Sequence, residues 1–75
     1  MMLCKITFQW DEEASVWIAT SEDVPGLVLE SGSFDALVER VKRAVPELIA
    51  LNGKNAPDFR LTYSTVREDR VPVYG

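Results

Sequence analysis

The stretch Ser21–Val41, SEDVPGLVLESGSFDALVERV, carries a turn, a short apolar strand, a second turn and the start of an amphipathic helix. Proline fixes φ near −65° at the second position of a β-turn and glycine supplies the positive φ that a type II turn needs next, so Asp23-Val24-Pro25-Gly26 reads as a chain reversal. Leu27–Ser31 is then a strand, and Gly32 with Ser33 turns the chain into a helix. The Ser33 hydroxyl can cap that helix, and Asp35 sits favourably against the positive end of its dipole. A strand leading directly into a helix implies a crossover, and the rest of the chain must supply the sheet it crosses.

Upstream, Leu3–Trp10 alternates, with Cys4, Ile6, Phe8 and Trp10 on one side and Leu3, Lys5, Thr7 and Gln9 on the other. Asp11–Ser15 is a polar turn, and Ser15–Ser21 is β-branched and aromatic, which predicts an antiparallel hairpin. Val16 and Ile18 share one face of this second strand, Trp17 and Ala19 the other. Downstream, Phe34, Leu37, Val38, Val41, Val45, Leu48 and Ile49 form an apolar stripe at spacings of three and four. Pro46 falls inside that pattern and predicts a kink or a new segment starting there. Asn52 and Gly53 stop the helix. Phe59–Val66 alternates as a fourth strand, and residues 67–75 form a tail whose Val71, Val73 and Tyr74 could dock on a neighbour.

The expected architecture is a single α+β domain over 1–66, ordered β-β-β-α-β. If the first three strands form a meander and the fourth returns beside the first, the sheet order is 3-2-1-4 with the helix on one face, a crossover that is right-handed in nearly all cases when the strands are parallel. The other face is then open and is expected to carry Leu3 and Trp17. With 75 residues, such a domain buries only about 60% of the surface its unfolded chain exposes, so covering the open face with another chain would add stability.

Composition narrows the function. Eight basic and twelve acidic side chains give a net charge of −4 and a pI near 4.6, which opposes binding to a phosphate backbone. The longest apolar run is four residues, too short to span a bilayer, and the N-terminus lacks the apolar core of a signal peptide, so a cytoplasmic location is expected. Cys4 is the single cysteine and there is no histidine. An internal disulfide is thereby excluded, Ser and Thr have no histidine base, and a zinc site lacks soft ligands. Cys4 reads as a small strand residue. The carboxylates Asp11, Glu12, Glu13, Glu22 and Asp23 lie in turns, where such residues are ordinarily solvated turn formers, whereas two-metal catalysis needs carboxylates converging from several elements. Lys42 and Arg43 read as a solvated helix face. No catalytic activity and no cofactor are expected.

The acidic turn before VWIAT, the Ser-x-Asp-x-Pro-Gly turn (Ser21, Asp23, Pro25, Gly26) and a helix opening with FDALVERV together resemble the N-terminal domain of HicB-like antitoxins. The resemblance covers about Lys5–Leu51 and is strongest to small HicB-related proteins that consist of this domain alone. It implies a partial RNase H-like fold without nuclease activity, acting as a protein-binding module. The implied partner is a small basic HicA-type mRNA interferase, whose RNA-binding and active surface the antitoxin covers. Fuller members carry a DNA-binding domain for which there is no room after the fourth strand here, so direct DNA binding is not expected. The alternative is a stand-alone homo-oligomer with no toxin partner. Expected contact residues under either reading are Asp11, Glu12, Glu13, Trp17, Glu22, Asp23, Pro25 and Gly26.

Overall fold

A computed structural model describes residues 1–74. Strand β1 (Met2–Asp11) pairs antiparallel with β2 (Val16–Thr20), and β2 pairs antiparallel with β3 (Val28–Ser31). Helix α1 (Phe34–Leu51) then carries the chain across the sheet to β4 (Phe59–Val66), which lies parallel to β1. The sheet order is β3-β2-β1-β4, as the sequence predicts.

One face of the sheet packs against α1. Cys4, Ile6 and Phe8 of β1 and Ala19 of β2 meet Leu37, Val41, Val45 and Ile49 of α1, all buried. Val24 and Leu27, from the turn that precedes β3, complete this core. Because one helix and a four-stranded sheet share a single interior, each buried side chain counts heavily in so small a domain. Phe8 sits at its centre, 4.9 Å from the Phe34 ring and 5.3 Å from the Tyr63 ring.

The helix is fixed at both ends. Ser33 Oγ accepts the Ala36 amide at 3.2 Å, and the Asn52 amide donates to the Leu48 carbonyl at 3.1 Å before Gly53 leaves in a positive-φ conformation. Of the two outcomes expected at Pro46, a kink or a new segment, the new segment does not occur, since α1 is one element of 18 residues with Pro46 inside it. Pro46 is exposed between the buried Val45 and Ile49. The carbonyl it leaves without a helical donor belongs to the exposed Lys42, where water can serve it, so the break is not forced.

A second expectation is corrected by the hairpin register. Trp17 stands opposite Trp10, not on the open face. The connection Glu12–Ser15 sets Asp11 against Val16, and this places Trp17 on the helix-covered side with Trp10 and Phe8. Its ring meets Trp10 edge-on at 5.3 Å and Phe34 at 5.2 Å. The uncovered face instead shows Lys5, Thr7, Gln9, Thr20, Thr62 and Ser64 around a few apolar groups, of which Leu3 and Val28 are the most exposed. That face mixes hydroxyl, amide and charged groups, which water solvates well, with the apolar ones.

Candidate functional site

Apart from Trp17, which lies within β2 and packs into the aromatic cluster, the expected contact residues fall into two turns at opposite ends of β2. Five residues separate them, roughly 16 Å at the rise of a strand, so they do not converge on one site.

In the first turn, Asp11 Oδ1 accepts the amides of Glu13 and Ala14 at 3.1 and 3.3 Å. This local closure is what an aspartate at the start of a turn does. Glu12 reaches back to accept the Trp10 indole Nε1–H at 2.6 Å. Ser15 completes the reversal at φ 53°, and Glu13 is exposed. The guanidinium of Arg67 lies 4.4 Å over the Trp10 ring and 5.8 Å from that of Trp17, so the first residue of the tail closes the aromatic cluster behind this turn.

The second turn works over a longer range. The β1–β2 ladder ends at Thr7 and Thr20, yet β1 continues. The Lys5 amide donates to Asp23 Oδ2 at 2.7 Å, and Ser21 Oγ donates to the Lys5 carbonyl at 2.6 Å. The Asp23 amide in turn donates to Ser21 Oγ at 3.1 Å. Two side chains thus replace the missing strand and satisfy both backbone groups of Lys5, which is the physical reason for serine and aspartate at this spacing. Pro25 and Gly26 close the turn through a Leu27 amide to Val24 carbonyl bond of 3.1 Å, with Gly26 at φ 88°. Asn52 at the end of α1 donates through Nδ2 to the Pro25 carbonyl at 3.4 Å.

A depression of about 550 Å³ lined by Lys5, Thr7, Thr20, Ser21, Glu22 and Asp23 lies beside this turn. Glu22 and Asp23 are exposed on its rim. Of the residues expected from sequence, Asp11, Glu12, Asp23, Pro25 and Gly26 therefore have structural work to do, while Glu13 and Glu22 stand free to meet another molecule. Ser21 is the functional part of the turn that residue-type reasoning passes over, because its partner lies 16 positions upstream.

Nearby, burial pushes the Cys4 thiol above its ordinary value of 9.0, and the Asp23 charge adds to the effect. The neutral thiol is accordingly a packing group. Among the described residues, no three histidine, cysteine, aspartate or glutamate side chains gather as a metal site, and no helix is long and apolar enough to cross a membrane.

The chain is similar to a protein of known crystal structure, the hypothetical protein TTHA1013 from the extremely thermophilic bacterium Thermus thermophilus. The two are 34% identical with a TM-score of 0.78, over 92% of this chain and 99% of that one. No curated protein matches. A family model described as a domain of unknown function, DUF1902, matches residues 3–74. Apart from Met2 of β1, the strands and helix all fall within that match, as does the tail through Tyr74, and the chain belongs to the DUF1902 family.

Proposed function

We propose that the chain is a non-catalytic protein-binding module of the HicB-like antitoxin kind, acting in the cytoplasm to neutralise a small basic HicA-type mRNA interferase by covering its RNA-binding and active surface. The observation that supports this most is the Ser21–Gly26 turn. It is one of the elements that together carry the resemblance, and it is built as a unit on a β-β-β-α-β domain, the arrangement the resemblance implies. A net charge of −4 favours encounter with a basic RNA-binding surface and competes with RNA for it. The non-catalytic reading is supported by the carboxylates themselves, since Asp11, Glu12 and Asp23 are engaged in holding turns and an indole in place.

The test is recovery of the tagged chain from its own cells with its bound proteins. A stoichiometric small basic protein whose RNA cleavage stops on adding this chain is the expected result. Continued cleavage at excess of this chain would sink the reading. Cleavage of RNA or DNA by the purified chain with magnesium or manganese, abolished by a carboxylate substitution, would overturn the non-catalytic part.

A second reading, a stand-alone homo-oligomer without a toxin, is favoured by the C-terminal segment, where Val71, Val73 and Tyr74 are 79%, 92% and 89% exposed. Apolar side chains this exposed gain by meeting a partner surface.

A further inference from the structure

The outer edge of β4 and the C-terminal segment are complementary features of one molecule. β4 is an edge strand, paired on one side with β1. Its eight residues, FRLTYSTV, contain no proline and one charge, so it lacks the usual devices that keep an edge from pairing. The opposite edge is better guarded, for β3 has four residues and Arg40 hydrogen-bonds the Glu30 carbonyl at 2.8 Å. On the helix side of β4, a groove of about 370 Å³ is lined by Lys42, Val45, Pro46, Phe59, Leu61 and Tyr63.

The segment after Val66 offers what that groove lacks. A chain extended from Phe59 to Tyr74 measures about 50 Å at roughly 3.3 Å per residue, which accounts for a long axis of 57 Å in a body only 19 by 18 Å across. The segment runs on in the direction of β4 and has no turn to bring it back to its own edge. Arg67 lies over Trp10, on the helix-covered side. Alternation from that point carries Val71 and Val73 to the side that bears Phe59 and Leu61.

We propose that Glu68–Tyr74 of one copy adds as an antiparallel strand to the β4 edge of a second copy, Val71 beside Leu61 and Val73 beside Phe59, with a reciprocal exchange about a two-fold axis. The seven residues of the segment are one fewer than the eight of β4. With Val71 and Val73 turning their amides toward β4, Pro72 turns its donorless nitrogen to the new outer edge and stops further strands from adding. The product is a closed dimer rather than a fibre. This strand addition rests on the self-association reading and names its contact; it does not depend on a toxin partner.

Light scattering at tens of micromolar should give the full chain a mass twice 8.4 kDa, and a chain ending at Arg67 a mass of one chain with an unchanged far-ultraviolet spectrum. Oxidation should link a Leu61→Cys, Val71→Cys variant into a dimer, with far less linkage for Leu61→Cys, Pro72→Cys. A single-chain mass for the full protein would overturn both the strand addition and the self-association reading. A two-chain mass that survives removal of the segment would overturn the strand addition alone.

Discussion

The two acidic turns of this domain have similar composition and opposite reach. The Asp11–Ser15 turn closes on itself, its hydrogen bonds spanning two or three residues. The Ser21–Gly26 turn ties together parts of the chain that lie 16, 18 and 27 residues apart, namely the middle of β1 and the end of α1. A turn of the first kind sets the hairpin register and leaves its outer carboxylate free. One of the second kind is a clamp on the whole fold, so its residues answer to stability before they answer to any partner.

That contrast can be broken by substitution. The largest effect is expected from Val24→Ala, which removes buried volume from the second turn and should cost about 2 kcal/mol; the same urea titration should leave Ala14→Gly, exposed in the first turn, within about 0.5 kcal/mol. Next, Ser21→Ala combined with Asp23→Ala strands both backbone groups of Lys5 and should cost about 1–2 kcal/mol, with faster amide exchange at Lys5 as its signature. If the Lys5 amide stays protected, the clamp description is wrong. Gly26→Ala should cost about 1 kcal/mol. Its added Cβ would have ordinary contact with Leu48 at 3.6 Å, so the cost is that of placing a side chain at φ 88°. Asp11→Ala should cost less, about 0.5 kcal/mol, and Glu13→Ala nothing measurable.

The smallest effect separates the turns electrostatically. Because folding raises the Cys4 thiol, the folded state holds that proton more tightly than the unfolded chain does. The associated stability is complete below about pH 9 and is lost as pH climbs through the raised value. Asp23→Asn removes the lesser of the two causes and should bring the onset of thiolate absorbance to lower pH. Asp11→Asn should leave that onset where it is.

Much of this fold is legible in the residues because it rests on local rules. The bounds of β4, the Ser33 cap and the Pro-Gly turn follow from alternation, capping and backbone geometry, and the α1 stripe names all four of the helix residues that prove buried. What local rules do not carry is the relation between elements. Alternation says that Trp17 and Ala19 share a face but not that this face meets the helix. That is decided by pairing Trp10 with Trp17 across a four-residue connection. Val24 and Leu27 look like turn and strand residues until the clamp draws them inward. Pro46 leaves the Lys42 carbonyl without a helical donor, and whether water can serve it depends on exposure, a property of the assembled domain. For the candidate site, the residue types pick out the turns while the distances between them require the sheet.

The parallel pairing of β1 with β4 has a consequence for how the protein is made. β1, an interior strand, is made before the other elements of this domain, and its neighbour β4 after them. At about 5–20 residues per second, Ile6 and Phe8 wait about 2–10 s, while β2, β3 and α1 are made, before the sheet around them is complete. The hairpin with β2 covers one flank of β1 early, while the other flank is unpaired until β4 is made. Completion of the sheet therefore waits for β4, and a message truncated before Phe59 would yield a chain with its central strand half-paired and prone to aggregate.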